Sequence, residues 1–199
     1  MRAQGLYRSL VVLFIVFAIG PPWGSEAQQP IRIGASLSLT GKYALQGGYA
    51  RDGYLLYQKR VNQKGGVLGR SVEFVIYDDG SDEKTAVRLY EKLIAEDQVD
   101  AVMGPYSSPI TDAVAEVTEK HRKLMVAPMA ATSSIWEKGR RYLVMLLSPV
   151  EVLPEGVLDL AARNGLKTLA VINEAALVGK AATRGAIELA KKKGLELVC

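Results

Sequence analysis

The feature that most constrains this chain is its regular alternation of short apolar runs with longer amphipathic ones. Ile31–Ser38 sets Ile31, Ile33, Ala35 and Leu37 on one face, at the period of a strand. Ser71–Tyr77 does the same, with Val72, Phe74 and Ile76 opposing Glu73, Val75 and Tyr77. Between them Leu39–Gly48 reads as a loop carrying Thr40-Gly41 and Gly47-Gly48, and Tyr49–Asn62 as a helix stopped at Gly65-Gly66. Asp78-Asp79-Gly80 turns the chain, and Ser81 is placed to cap a helix with Asp82 and Glu83 in its first turn. Leu89, Tyr90, Leu93 and Ile94 mark the buried face of that helix. Strands at Ala101–Met103, Leu124–Ala127, Tyr142–Leu147, Thr168–Ile172 and Leu195–Cys199 then alternate with helices at Ile110–His121, Val152–Asn164 and Gly179–Lys193. This order predicts an α/β fold with a parallel sheet covered on both faces. The last run reads as a strand without a continuation, so an unfinished domain with an aggregation-prone edge is expected.

Two corners of this pattern carry chemistry. Ala101-Val102-Met103 runs into Gly104-Pro105-Tyr106-Ser107-Ser108-Pro109, a strand–loop–helix corner that offers free N–H groups and two hydroxyls at a helix N-terminus. Leu124–Ala127 runs into Pro128-Met129-Ala130-Ala131-Thr132-Ser133-Ser134, a second corner of similar composition. A carboxylate or phosphate at the carboxyl edge of the sheet would suit both corners. Helix capping by Ser108 and by Ser133 or Ser134 accounts for the same residues without a ligand.

The amino terminus has a different character. Arg2 and Arg8 precede the apolar run Leu10–Ile19, and small residues follow at Ser25 and Ala27. A positive start, a short apolar core and small residues at that spacing predict a secretory signal over residues 1–27, cleaved between Ala27 and Gln28. The apolar run falls short of the roughly 20 residues of a membrane span. No cysteine stands near the junction to take a lipid, and Cys199 is the single cysteine, so no intrachain disulfide is possible. The expected mature chain is exported and soluble.

Composition narrows the functions. A net charge of +4 is modest, acids are interspersed among the bases, and Lys191-Lys192-Lys193 closes a helix where cations are favoured. No basic stripe with interleaved aromatics points to nucleic acid. Gly65–Ser71 lacks the lysine of a phosphate loop, and Gly179-Lys180 is followed by Ala181 and has Glu174 where that motif needs glycine. There is no Gly-x-Ser-x-Gly elbow. His121, the one histidine, reads as a solvated last-turn residue, and with one cysteine besides it a transition-metal site is not expected. Asp78-Asp79 reads as a solvated turn in preference to a cation site.

Several of these segments, in order, resemble one family. Ile31–Tyr49, Asn62–Gly69, Asp78-Asp79-Gly80 and Asp100–Ser108 are similar to the periplasmic binding proteins for branched-chain amino acids and related solutes. The resemblance extends from Ile31 to the end of the chain. It implies a type I periplasmic-binding-protein fold: Rossmann-like lobes with parallel sheets, the first complete and the second partial. The first lobe would occupy residues 28–142 and the partial second lobe residues 143–199. The implied function is a periplasmic solute receptor, not an enzyme and without a cofactor. It would bind a branched-chain or other amino acid, or an amide, and deliver it to the permease subunits of an ABC importer. A ligand-sensing regulatory domain of the same fold is the alternative; a hydrolase or dehydrogenase on a flavodoxin-like sheet fits poorly.

The resemblance also implies site residues. Ser108, with Ser107 beside it, matches the carboxylate-binding serine, and Thr132 the second carboxylate donor. Ala130 matches the backbone carbonyl that accepts from the ammonium, and Tyr106 supplies surface at the rim. Gln46 stands where some relatives place an aromatic residue, and Val178 where others place one before a glycine. The acid that pairs with the ammonium is expected beyond Cys199.

Overall fold

The computed structural model describes residues 28–198; the signal expected at residues 1–27 lies outside the described residues. Five parallel strands form the main sheet: β1 (Ile31–Leu37), β2 (Val72–Asp78), β3 (Ala101–Met103), β4 (Met125–Ala127) and β5 (Leu143–Met145), in the order β2-β1-β3-β4-β5. The helices are α1 (Ala44–Gln63), α2 (Glu83–Ala95), α3 (Ser108–Lys120), α4 (Glu155–Arg163) and α5 (Leu177–Lys192). β6 (Thr168–Leu169) and β7 (Glu196–Leu197) pair in parallel as a separate two-stranded sheet. β5, on the far side of the lobe boundary expected at Tyr142, is hydrogen-bonded to β4 within the main sheet.

The core of the main sheet follows from the apolar periodicity of α2 and α3. Tyr90, Leu93, Val99, Val114 and Met125 are fully buried in one cluster with Val102 and Ile110. At 20–33 cal/mol per Å² of apolar surface, each such side chain contributes about 1.5–3 kcal/mol on burial. The smaller sheet has a slighter cluster of Leu158, Ala190 and Leu195.

Four local expectations are corrected. α1 begins at Ala44, after a 3-10 turn at Gly41–Tyr43, so Gly47-Gly48 lies inside the helix instead of breaking it. Gly47 is there because a Cβ at this position would come within 2.0 Å of the Ser38 carbonyl oxygen; the helix crosses the end of β1 too closely for any side chain. The cap of α2 is Asp82, which accepts from Thr85 N–H at 2.7 Å. Ser81, at φ 63°, instead donates to the Thr40 carbonyl at 2.8 Å and accepts from Tyr43 N–H at 3.1 Å.

The pair Asp78-Asp79 is not a plain solvated turn. Asp79 is buried and accepts from Ser36 and Ser38 hydroxyls at 3.0 and 2.7 Å. Asp78 accepts from Leu39 N–H at 2.9 Å and from Thr40 N–H and hydroxyl at 3.1 and 2.8 Å. Burial is the largest single influence and opposes the ionised form, but the bonds from Gly80, Thr40 and Leu39 together outweigh it and hold the Asp78 carboxyl below its usual range. Leu37 and Asp78 are partners in the β1–β2 register, so the end of β2 fixes the loop that leaves β1. His121 is half-buried with its ring Nε2 2.5 Å from Glu91 Oε2, a tie between α3 and α2 in place of the solvated residue expected.

Candidate functional site

The strand order reverses between β1 and β3: from β1 the chain proceeds outward to β2 on one side, and from β3 to β4 and β5 on the other. Loops leaving the carboxyl ends at such a point diverge and open a crevice. A cavity of about 580 Å³ lies there. It is walled by Tyr43 after β1, Tyr106–Pro109 after β3, Pro128, Met129 and Ala131 after β4, and Leu147 after β5. The rest of the lining is Val150 and Leu153, Glu174 and Ala176 from the loop between β6 and α5, and Val178 in the first turn of α5.

The first corner is built to present donors. Ser107 caps α3, its hydroxyl accepting from Ile110 N–H at 3.5 Å. Its backbone stands at φ 80°, ψ 144°, a region that costs a residue with a Cβ about 1–3 kcal/mol. Strain of this kind persists where the surrounding structure imposes it, and here it aims the N-terminus of a 13-residue helix at the cavity. Ser108 does not cap α3. Its hydroxyl accepts from Ala131 N–H at 3.3 Å and so ties the two hydroxyl-rich corners together.

The second corner is held from behind. Val150 N–H donates to the Ala131 carbonyl at 2.7 Å. Ala130 and Thr132 flank Ala131 and are both buried. Thr132 Oγ1 has no hydrogen-bond partner among the described residues. A buried hydroxyl left unpaired costs about 1–3 kcal/mol. Glu151 braces the same corner, accepting from Ser133 Oγ at 2.6 Å and from Arg184 of α5 at 2.7 Å. Burial pushes the Glu151 carboxyl up, but the bonds from Ser133 and Arg184 prevail and hold it below its ordinary range.

Of the residues expected at the site, Tyr106, Ser107 and Ser108 line the cavity. Ala130 and Thr132 are buried on either side of a lining residue. Gln46 is not among the lining residues; Tyr43, one turn earlier, is, with its ring 5.2 Å from that of Tyr106 at an edge-on 61°. Sequence reasoning missed Tyr43, Leu147, Val150, Leu153 and Glu174 as wall residues. Tyr43 was legible only through the placement of α1, which the two glycines obscured. No group of His, Cys, Asp or Glu suited to a metal ion occurs among the described residues.

Comparison with known proteins decides the family. A model of the periplasmic binding protein family matches residues 30–199. The chain belongs to the periplasmic binding protein family. A Leu-, Ile-, Val-, Thr- and Ala-binding protein of Pseudomonas aeruginosa is 31% identical over 151 residues, 75% of this chain and 40% of that one. An ABC-transporter solute-binding protein of Rhodopseudomonas palustris, solved with 3,4-dihydroxybenzoic acid, superposes with TM-score 0.77 at 25% identity, covering 85% of this chain and 46% of that one. A branched-chain amino acid binding protein of Streptococcus pneumoniae, solved with isoleucine, gives TM-score 0.74 at 22% identity over 85% and 48%, a likeness of fold. The chain therefore spans less than half the length of these relatives. The periplasmic binding fold and its parallel first sheet agree with the expectation from sequence.

Proposed function

We propose that this chain forms the carboxylate-gripping part of an extracytoplasmic solute receptor that hands a small organic acid or amino acid to an ABC importer. The observation that carries this reading is the tied pair of corners: a strained N-cap at Ser107, Ser108 on the cavity wall, and the unpartnered buried hydroxyl of Thr132. Donors beside an apolar-walled cavity suit the binding and orientation of a charged group. Relatives that bind branched-chain amino acids and hydroxybenzoates support a ligand carboxylate as the common feature. Residues 1–27 serve as the export signal in this reading, residues 28–142 as the first lobe and 143–199 as part of the second. The permease subunits are the partner. Among the described residues no helix is long and apolar enough to cross a membrane.

Calorimetry with L-leucine and with 4-hydroxybenzoate tests the reading on the exported chain. Hydrogen bonds to a charged group contribute about 1.5–3 kcal/mol, so Ser108→Ala and Thr132→Ala should each weaken binding roughly ten- to hundredfold. Backbone donors survive both changes, so neither abolishes it. Unchanged affinity in both variants would make these hydroxyls structural. Mass spectrometry of the exported protein should find Gln28 as the new amino terminus; an intact Met1 would remove the signal from the reading.

A further inference from the structure

Helix α1 is turned partly inside out. Towards the sheet it presents Gly47, Tyr54, Gln58, Val61 and Asn62, all buried or half-buried, and two of these are amides. Gln58 Oε1 accepts from Phe74 N–H at 2.7 Å. Asn62 accepts from Val72 N–H at 2.7 Å and donates to the Val72 carbonyl at 2.8 Å. β2 is the end strand of the main sheet, and these bonds occupy the edge it would offer to another strand. On the opposite face, Leu45, Tyr49, Asp52, Leu56 and Arg60 follow one another in steps of three or four residues and are all exposed. A surface helix ordinarily turns its apolar stripe to the core. Here two leucines and a tyrosine, the last 69% exposed, stand in solvent instead. A stripe of this kind, rimmed by charge, marks a surface for another protein.

The charges on the stripe state which protein. Asp52 lies four residues before Leu56 and Arg60 four residues after it. Arg60 forms no ion pair among the described residues, and Asp52 has only the exposed guanidinium of its neighbour Arg51, at 3.0 Å. Two copies of α1 laid antiparallel about a twofold axis at Leu56 bring the two leucines together and set Asp52 of each copy against Arg60 of the other. Gly53, which has no side chain, then lies against Lys59. A parallel pair would set Asp52, Lys59 and Arg60 each against its own like charge. A second feature suits the antiparallel arrangement. The turn Val67–Arg70 stands beyond the carboxyl end of α1, tied to it by Gly66 N–H donating to the Val61 carbonyl at 2.9 Å, and its tip Leu68 is 91% exposed. The partner's Leu45 and Tyr49 run towards that same end. We propose that the outer face of α1 is a self-complementary interface through which two copies of this chain form a twofold dimer.

A single helix pair and its flanking turns fall at the small end of specific interfaces, so the dimer should have a dissociation constant on the order of 1–100 μM. Sedimentation velocity of the exported chain at low salt, from about 1 to about 500 μM, should show monomer passing to dimer. Leu56→Lys, which sets two ammoniums at the axis, should weaken the dimer about tenfold or more. Asp52→Arg and Arg60→Asp should each weaken it severalfold, and the two together should restore it, because the pair is then exchanged and not lost. Leu160→Lys, on the exposed face of the smaller unit, should leave it unchanged. Leu56→Cys with Cys199→Ser is a milder change and should cross-link to a covalent dimer on oxidation with diamide. The proposal is overturned by a monomer throughout the range, by a dimer that resists Leu56→Lys, or by one that Leu160→Lys weakens as much. Failure of the double charge exchange to restore the dimer, or of Leu56→Cys to cross-link, overturns it equally.

Discussion

The two sheets of this molecule are made by the same rule of parallel strand and helix, yet they differ in what they bury. In the main sheet Tyr90, Leu93, Val99, Val114 and Met125 are fully buried between strands and helices. In the smaller one β6 and β7 have two residues each, and Ile172 is 98% exposed with Val157, Leu160 and Leu166 also largely in solvent. The difference divides the cavity. Ser107 and Ser108 are carried on the packed main sheet and its helices. Glu174 is carried by a unit joined to that sheet through the 3-10 turn at Val150–Val152, which packs against α5, and through the Glu151–Arg184 pair. The walls of the cavity thus belong to regions of unequal packing.

The largest test of that contrast is a pair of truncations. Leu93→Ala should cost about 2–5 kcal/mol in urea unfolding, because the main core cannot collapse onto the void. Leu160→Ala, 62% exposed, should stay within about 0.5 kcal/mol. Equal costs would mean the smaller unit is as well packed as the main one. A sharper probe is Gly185→Ala on α5. Its Cβ would come within 2.0 Å of the Glu151 carbonyl oxygen, so α5 must move away from the Val150–Val152 turn. A cost of about 1–3 kcal/mol is expected. Hydrogen exchange should accelerate in α5 and not in β1; acceleration in both would make the two units one cooperative body.

Acid should also act on the ties between elements. Burial alone would raise the Asp112 carboxyl, but the bonds from Lys138 and Arg140 outweigh it, so both Asp112 and Glu151 sit below their ordinary values of 3.8 and 4.5. A depressed carboxyl contributes stability that is fully present above its ordinary value and is lost as pH falls through the folded one. The thermal midpoint should therefore fall as pH drops from about 6 to about 3, and fall less in Glu151→Gln and Asp112→Asn. An identical pH profile in both variants would remove these ties from the account. The smallest effect expected is that of Ser107→Gly. Relief of the positive φ should offset the few tenths of a kcal/mol lost with the cap and leave the chain stabilised by about 1 kcal/mol or less. A clear destabilisation would show that Ser107 is unstrained in solution.

Much of this was legible in the residues. The β1 and β2 runs alternate with period 2, and the structure has strands there with register Ile31 to Val72. The hydroxyl corners after β3 and β4 were identifiable because Gly-Pro and Pro-Met end apolar runs too short to be helices. Capping was less legible. Ser81 and Asp82 are both good caps by type, and only the structure shows Asp82 accepting from Thr85 N–H while the Ser81 hydroxyl is engaged with Thr40 and Tyr43. Ser107 caps α3 in place of the expected Ser108, since helix phase decides which hydroxyl reaches back to the helix and which reaches Ala131.

The sequence by itself determined the order of strands and helices, the parallel sheet, and the chemistry at the ends of β3 and β4, because these depend on neighbours a few residues apart. Only the tertiary structure decided that Gly47 belongs inside α1, that Asp78 and Asp79 fasten the loop leaving β1, and that Thr132 Oγ1 is left without a partner. It also decided that Tyr43 and Glu174, 131 positions apart in the chain, face one cavity. Each of these depends on a close approach between segments distant in sequence. Local propensity has no means to record such an approach, because the clash, the hydrogen bond or the unpaired hydroxyl exists only once both segments are in place.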